Sequence, residues 1–188
     1  MNIGFAMCGS LCTFQAVFPV VEMIAKKYTV TPILSEAAGG IDSRFGSGEA
    51  HIQKLAEICN KVPLRTIADV EPIGPKKLLD ALVIAPCTGN TLAKLSHGIA
   101  DGPVTMAAKS HLRNGRPIIL AISTNDALGT AAENIGRLLA RKHYYFVPFR
   151  QDDPIGKPNS IVADFSQVLP TLEAALEGKQ LQPLLMGS

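Results

Sequence analysis

The sequence predicts an α/β fold in which helices cover both faces of a mostly parallel six-stranded sheet, a three-layer Rossmann-like arrangement. Two observations support this prediction. Short apolar runs rich in branched residues alternate along the chain with segments whose apolar residues recur at helical spacing. Four of those runs end on turns of small polar residues, as parallel strands do where they lead into helices. At 188 residues the chain fits one domain, residues 1–188.

Composition narrows the classes of function. The net charge of +2 is spread along the chain without a long run of Lys or Arg, so we expect a small-molecule ligand and no nucleic acid. The cysteines include no C-x-x-C pair, which argues against zinc, and we predict no metal site. The apolar segment Ile3–Val21 has no basic residues before it and contains polar interruptions. We therefore expect neither a signal peptide nor a membrane span, and a reducing, cytoplasmic location.

The first predicted strand, Asn2–Met7, leads through a turn into a helix from about Leu11 to Lys27. In that turn Gly9 lets a ligand approach the backbone, and Ser10 is a favourable N-cap whose hydroxyl could also bind a phosphate. The turn has neither the three glycines of a dinucleotide-binding motif nor the Gly-Lys-Ser/Thr end of a P-loop. A simple strand-to-helix turn explains it equally well.

A second predicted strand, Tyr28–Leu34, ends at Ser35, which lies beside the first turn if the two strands are parallel neighbours. The glycine-rich segment Gly39–Gly48 is either a mobile loop that covers a ligand or a long surface connection. The next helix, His51–Asn60, begins with a histidine that we predict to be solvated and leave out of the site. A weaker third strand is predicted over Val62–Ile67.

The centre of the chain has the strongest signal. The run Leu82–Ala85 reads as a buried strand that Pro86 ends, and a polar loop then starts the next helix. Thr88, Asn90 and Thr91 in that loop can each cap the helix. Cys87 is either a thiolate activated by the helix amino terminus or a small buried residue behind the loop, and we favour the buried interpretation.

The rest of the chain repeats the pattern. A helix is predicted over Val104–Leu112, and a fifth strand, Arg116–Ile122, ends on the polar turn Ser123-Thr124-Asn125-Asp126. The remaining predictions are a helix at Ala131–Arg141, a last strand at Tyr144–Phe149, a flexible arm at about 150–160 and a final helix at about Phe165–Leu176. We interpret His97 and His111 as surface or packing residues.

The carboxyl ends of parallel strands meet at one edge of a sheet, so we expect these four turns to lie together there. Ligands of open parallel sheets bind at that edge. The edge is rich in hydroxyls and amides and poor in strong acids and bases. Such a site favours a bound cofactor that supplies the chemistry over a side-chain nucleophile.

Several segments resemble the flavin-containing cysteine decarboxylase superfamily, whose members bind FMN on a Rossmann-like sheet. Ala85-Pro86-Cys87-Thr88-Gly89-Asn90-Thr91 is similar to its Pro-Ala-Ser/Thr-Ala-Asn-Thr loop, and Glu133-Asn134-Ile135 to its Glu-Asn-Ile helix. The resemblance implies that Gly9, Ser10 and Ser35 hold the FMN phosphate and that the Thr88–Thr91 loop contacts the ribityl chain and flavin ring. The complete set of implied cofactor-binding residues is Gly9, Ser10, Ser35, Pro86, Cys87, Thr88, Asn90, Thr91, Ser123 and Asn125.

Two departures separate this chain from the decarboxylases. Their active-site histidine has no counterpart in Glu71-Pro72-Ile73-Gly74, and their Met-Asn pair is replaced by Thr124-Asn125. Within the superfamily the chain more closely resembles the family of dipicolinate synthase B subunits. The segments that support this are Cys87–Thr91, Ser123–Gly129, Tyr144–Phe149, Asp152–Pro154 and Lys157–Ser160.

That narrower resemblance implies a sporulation enzyme of two subunits, in which an FMN-binding B subunit and an NAD(P)-binding A subunit oxidise dihydrodipicolinate to dipicolinate in the mother-cell cytoplasm. The wider superfamily resemblance implies a homo-oligomer, a trimer or a multiple of one. From charge, Arg44, Lys94 and Arg150 are candidates for binding the two substrate carboxylates. The alternatives are an FMN-dependent cysteine-type decarboxylase or flavin prenyltransferase, and a non-catalytic subunit that stabilises its partner.

Overall fold

A twisted seven-stranded sheet forms the centre of the structure, a computed structural model that describes residues 1–187. The strands are β1 (Asn2–Met7), β2 (Thr29–Leu34), β3 (Ala81–Cys87), β4 (Ile118–Thr124), β5 (Tyr144–Phe146), β6 (Phe149–Asp153) and β7 (Lys157–Ala163). The helices are α1 (Phe14–Lys27), α2 (Glu36–Gly40), α3 (Gly48–Cys59), α4 (Ile67–Val70), α5 (Gly89–His97), α6 (Pro103–Leu112), α7 (Ala132–Leu139) and α8 (Val168–Leu176). Short 3₁₀ turns occupy Leu11–Thr13, Glu71–Ile73 and Phe165–Gln167.

The parallel part of the sheet has the strand order β2-β1-β3-β4-β5. From β1 the chain passes first to β2 on one side of β1 and then to β3 on its other side. The direction in which strands are added to the sheet therefore reverses between β1 and β3. At the far side, β5 pairs with the first half of β4, and the hairpin β6–β7 pairs antiparallel with its end through Ser123 and Thr124. The hairpin therefore extends the sheet just where β4 reaches the carboxyl edge.

Burial explains why the predicted strands form. Every residue of β3 is buried, as are the first six residues of β4, because helices cover both faces of these central strands. Helices α1 and α8 pack on one face, and α5, α6 and α7 lie on the other. The predicted three-layer α/β fold is confirmed, with seven strands in place of six.

Three predicted boundaries are wrong. Pro86 does not end the central strand. The strand register shifts between Ile84 and Cys87, and Pro86 and Cys87 both belong to β3. The third predicted strand reduces to one bridge between Leu64 and Ile33, since the neighbouring Pro63 has no N–H to extend the ladder. The last predicted strand divides at Val147-Pro148 into β5 and β6.

The segment predicted as a flexible arm, 150–160, is instead most of the β6–β7 hairpin. Its turn is closed by the Asp153 carboxylate, which accepts a hydrogen bond of 2.9 Å from the Gly156 amide. Within the described part of the chain, no helix is long and apolar enough to cross a membrane.

Candidate functional site

The four polar turns meet at the carboxyl edge of the sheet, beside the point where the strand order reverses. The turn after β1 contains Gly9 and Ser10, Ser35 follows β2, and Thr88 follows β3. The fourth, at the end of β4, reaches the first through a 2.9 Å hydrogen bond between the hydroxyls of Ser10 and Ser123. In doubly wound sheets this reversal point is where ligands bind.

The amino terminus of α5 is fixed by a small hydroxyl network. Thr88 caps the helix, because its Oγ1 accepts a hydrogen bond of 3.3 Å from the Thr91 amide. The hydroxyls of Thr88 and Thr91 lie 3.1 Å apart, and the Thr91 hydroxyl also donates to Cys8 Sγ at 3.2 Å. These contacts join the start of α5 to the end of β1, so the two turns behave as one rigid edge.

Two glycines let neighbouring segments approach this edge closely. A Cβ on Gly9 would lie 2.9 Å from Cβ of Ala37 in α2, and a Cβ on Gly89 would lie 2.7 Å from Thr124 Oγ1. Both distances are too short for carbon in an undistorted structure. A side chain at either position would therefore push apart the turns that form the site.

Two adjoining cavities open along the edge and share Gly9 and Thr88. The smaller cavity, about 400 Å³, lies between the starts of α2, α5 and α6. The larger cavity, about 750 Å³, lies between the turn after β1, the end of β4 and the β6–β7 hairpin. The smaller is lined by Cys8, Gly9, Ser35, Glu36, Ala37, Thr88, Asn90, Thr91, Lys94, Asp101, Gly102, Pro103, Val104 and Thr105. The larger is lined by Gly9–Thr13, Ser43, Phe45, Thr88, Ser123, Thr124, Asn125, Asp152, Lys157, Ser160, Ile161 and Val162.

Eight of the ten residues predicted from the sequence line these cavities. Ser35, Asn90 and Thr91 line the smaller one, Ser10, Ser123 and Asn125 line the larger one, and Gly9 and Thr88 line both. Pro86 and Cys87 line neither, because both are buried within β3. Burial raises the pKa of the Cys87 thiol well above its ordinary value, so the buried interpretation of this cysteine is supported and an activated thiolate is not.

Ser10 and Ser35 differ in their local roles. The Ser35 hydroxyl caps α2 by accepting a 3.1 Å hydrogen bond from the Ala38 amide. Ser10 precedes the first 3₁₀ turn without capping it, contrary to its predicted role as an N-cap, since its hydroxyl contacts Ser123 instead. Ser10 therefore joins two turns of the site.

The two cations that line the cavities are already paired with carboxylates. Lys94 lies 2.9 Å from the Asp101 carboxylate, and Lys157 lies 2.9 Å from that of Asp152. The ammonium of Lys94 lowers the pKa of Asp101, and the carboxylate of Asp152 raises the pKa of Lys157. Since both pairs are exposed, they contribute little to stability and mainly reduce the net charge at the cavity walls.

The three cations that we considered as carboxylate ligands do not converge. Lys94 lines the smaller cavity, but Arg44 and Arg150 line neither cavity. The Arg44 guanidinium instead lies 4.8 Å from the ring centre of Phe45. Lys157, which sequence reasoning missed, enters the larger cavity from the hairpin that was predicted as an arm.

Asp126 holds the turn after β4 in place. Its carboxylate accepts hydrogen bonds from the hydroxyls of Thr124 and Thr130. These two hydrogen bonds lower the pKa of Asp126 below its ordinary value, because they favour the charged carboxylate. The turn that presents Asn125 to the larger cavity is thus internally braced.

The prediction that His51 is solvated is wrong. Its ring is buried, with its centre 4.7 Å from that of Phe14, and its Nε2 lies 3.3 Å from the Phe45 carbonyl oxygen. His51 thereby supports the 43–46 turn, from which Ser43 and Phe45 reach the larger cavity. The signal was present, because His51 lies four residues before the buried Leu55 on the same face of α3. His111 is completely buried, as a packing histidine.

Among residues 1–187, no group of three or more His, Cys, Asp or Glu side chains is arranged to hold a metal ion. The described residues of the carboxyl edge offer hydroxyls, amides, backbone N–H groups and the amino terminus of α5. This donor set suits a phosphate-bearing organic ligand.

Comparison with known proteins identifies relatives of the whole chain. The family model described as Flavoprotein matches residues 1–163. The dipicolinate synthase B subunit of Bacillus subtilis (strain 168) is 44% identical over 186 residues, which cover 98% of this chain and 93% of the relative. The resemblance found in the sequence is thereby confirmed.

Two solved structures have the same fold as this chain. The crystal structure of the dipicolinate synthase B subunit from Bacillus halodurans C matches with a TM-score of 0.91 and 43% identity, covering 100% of this chain and 96% of the other. The FMN-dependent cysteine decarboxylase SpaF matches with a TM-score of 0.70 and 21% identity, covering 94% and 95%. At 21% identity, the match to SpaF shows only that the two proteins share a fold.

Proposed function

The chain belongs to the Flavoprotein family, and from this premise we propose that it is the FMN-binding B subunit of a dipicolinate synthase. With a nicotinamide-binding A subunit it oxidises dihydrodipicolinate to dipicolinate during sporulation, in the cytoplasm of the mother cell. The observation that supports FMN binding most directly is the meeting of four polar turns at the reversal point between β1 and β3.

The residues at this edge fit FMN. Each cavity has a volume within the range of about 300–1,000 Å³ that is typical of small-molecule sites. The amino terminus of α5 favours a negative group, and Ser35 and Thr88 add hydroxyls on either side of Gly9. When bound, FMN supplies a two-electron acceptor that no side chain of this edge provides.

We assign roles to the residues as follows. Gly9, Ser10 and Ser35 bind the phosphate, and Thr88 and Thr91 hold the start of α5 against it. The exposed Asn90 amide, which makes no hydrogen bond to another described residue, orients the ribityl chain or the ring. Ser123 and Asn125 complete the site from the end of β4, and Phe45 and Ile161 exclude water from the larger cavity.

Among the described residues, the two cavities of the sheet edge lack unpaired cations that could bind a dicarboxylate substrate. Lys94 and Lys157 are the two cations that line the cavities within residues 1–187, and each is neutralised by a carboxylate of the same cavity. We therefore assign substrate carboxylate recognition to the A subunit. Two separate proteins then have to meet at this edge for turnover.

Flavin binding is tested by the spectrum of the purified chain before and after FMN is added. Asn90→Ala should weaken FMN binding by about tenfold, as expected for loss of one well-placed hydrogen bond. Asn159→Ala removes an exposed amide outside both cavities and should leave binding unchanged. A chain that stays colourless and shows no flavin absorbance with excess FMN contradicts the proposal.

Catalytic participation needs a separate assay with the A subunit. Dipicolinate formation should depend on this chain and should fall with Asn90→Ala in proportion to lost flavin. If the A subunit alone makes dipicolinate at full rate, this chain is a stabilising subunit without a catalytic role. Ultracentrifugation of the purified chain tests the proposed trimer or multiple of a trimer.

The decarboxylase and prenyltransferase alternatives are less well supported. No histidine among the described residues lines either cavity, so these cavities lack the proton donor expected of a cysteine decarboxylase. Release of carbon dioxide from a peptide ending in cysteine, measured with the FMN-loaded chain, would favour the decarboxylase over our proposal.

A further inference from the structure

A third cavity lies at the opposite end of α5 from the proposed cofactor site. It has a volume of about 380 Å³ and lies between the end of α5, the outer side of α6 and the start of β5. It shares only Thr105 with the smaller cavity of the sheet edge. It is lined by Leu95, Gly98, Ile99, Ala100, Thr105, Lys109, Leu112, Arg113, Arg141 and Tyr144.

The cavity wall is mainly apolar. Leu95 and Leu112 come from the two helices, Ile99 and Ala100 from the connection between them, and Tyr144 contributes its ring from β5. Ile99 is 48% exposed, so its side chain presents apolar surface beside the other apolar groups of the cavity. A ligand with a ring-sized apolar body would cover it.

The charged groups of this cavity are all positive. Lys109, Arg113 and Arg141 line it without any aspartate or glutamate, and none of the three forms an ion pair with another described residue. The proposed cofactor site differs, because both of its cations are paired. An unneutralised group of three cations around an apolar wall is complementary to an apolar anion.

Arg141 is held rigidly in place. Its guanidinium donates hydrogen bonds to the carbonyl oxygens of Leu95 at 3.2 Å and Ser96 at 2.7 Å, which belong to the last turn of α5. The helix dipole also favours a cation at this end. Arg141 thus provides a fixed positive charge, and the exposed Lys109 and Arg113 provide two adaptable ones.

The Tyr144 hydroxyl adds a neutral donor. A tyrosine phenol is protonated at physiological pH, and burial raises the pKa of Tyr144 further, to about 12. It makes no hydrogen bond to another described residue. It can therefore donate to an oxygen of a ligand that enters the cavity.

We propose that this cavity is a second ligand site, which binds a small carboxylate with an aromatic or similarly compact apolar body. The body lies on Leu95, Ile99 and Leu112, and the carboxylate accepts hydrogen bonds from Arg113, Lys109 and the Tyr144 hydroxyl. The site does not depend on FMN, because its lining residues, apart from Thr105, are separate from those of the sheet edge.

The test uses two probes of the same shape, 2-naphthoate and the neutral 2-naphthamide, titrated into the full chain with and without saturating FMN. Calorimetry gives the affinities, and amide NMR shifts locate the binding. We expect naphthoate to bind about tenfold more tightly than naphthamide, and to shift Ile99, Ala100 and Leu112, in both FMN conditions. Lys109→Gln with Arg113→Gln should remove most of that preference.

Two further variants keep the test specific. Lys142→Gln removes an exposed cation next to Arg141 that does not line the cavity, and should leave naphthoate affinity unchanged. Ala100→Phe fills the cavity without changing its charge, and should abolish binding of both probes. Equal affinities for the two probes, shifts confined to the sheet edge, or full binding by Ala100→Phe would each overturn the proposal. FMN binding can fail independently of all these results.

Discussion

The hydrogen bond between Ser10 and Ser123 gives a quantitative test of how the site is held together. It joins the turn after β1 to the end of β4 across 113 positions of sequence, at 2.9 Å. Ser10→Ala and Ser123→Ala should each lower the free energy of unfolding. Because both variants break the same bond, the double variant should lose no more than about 0.5 kcal/mol beyond the worse single variant.

The magnitude follows from the burial of the two hydroxyls. A neutral hydrogen bond contributes about 0.5–1.5 kcal/mol net. Ser123 is only 9% exposed, so Ser10→Ala leaves a nearly buried hydroxyl without its protein partner and should fall at the upper end of that range. The coupling energy of the pair should therefore be about 1 kcal/mol.

Urea unfolding of the wild type, both single variants and the double variant, without FMN, measures this coupling. Ser96 provides a matched control, because its hydroxyl bonds to Asn134 and shares no partner with Ser10. Ser10→Ala combined with Ser96→Ala should be additive within about 0.5 kcal/mol. Additivity of the Ser10 and Ser123 variants would refute the inference that this bond braces the site.

The same variants separate bracing from cofactor contact. If the Ser10 hydroxyl also binds the phosphate, Ser10→Ala should weaken FMN binding by about tenfold or more, because hydrogen bonds to charged groups contribute about 1.5–3 kcal/mol. Ser123→Ala should change FMN affinity much less, since it leaves that donor in place. Equal losses would mean that the Ser10 hydroxyl contributes no more to FMN binding than Ser123 does, which contradicts a phosphate contact made by Ser10.

Three other predictions concern titration, reactivity and packing. Burial lowers the pKa of His111 from 6.5 to about 4, so as the pH falls the unfolded chain takes up a proton before the folded chain does. The stability contributed by this group is complete above pH 6.5 and should drop by about 2 kcal/mol between pH 7 and 5. Urea unfolding measures this slope, which His111→Gln should remove. Iodoacetamide at pH 8 should modify the exposed Cys12 and spare the buried Cys87 until the chain unfolds, as peptide mass spectrometry would detect. Gly89→Ala would place a Cβ 2.7 Å from Thr124 Oγ1 and should destabilise the folded protein by about 1–3 kcal/mol. Gly136→Ala, at a helical position with open space around it, should stabilise the folded protein by about 0.5–1 kcal/mol.

The carboxyl edge could be predicted from the sequence because its determinants are local. A buried strand needs branched apolar residues, and the turn after it needs a small residue and a cap. Gly9, Ser35 and Thr88 each satisfy that requirement within a few residues of a strand. Parallel pairing then brings the turns together without any information about side-chain contacts.

The hairpin could not be predicted in the same way. Its residues from Arg150 to Asn159 are exposed and mostly polar, so no apolar alternation marks either strand. Strand β7 depends on pairing with the end of β4, which lies more than 30 positions earlier in the sequence, and β6 in turn pairs with β7. Lys157 was therefore placed in a flexible arm, although the hairpin brings it to the larger cavity.

His51 shows how the missing information affects function. The helical spacing of His51 and Leu55 indicates that the ring faces inward, but the sequence gives no reason to expect two phenylalanines of α1 around it. In the structure its Nδ1 is buried without a hydrogen-bond partner among the described residues, while Nε2 contacts the carbonyl of Phe45. The Phe45 turn is closed by its own hydrogen bonds between Ser43 and Gly46, and the His51 ring, whose packing comes from α1, connects it to α3. Because only the 3₁₀ turn Leu11–Thr13 separates Ser10 from α1, this wall of the larger cavity and the proposed phosphate site both adjoin the same helix.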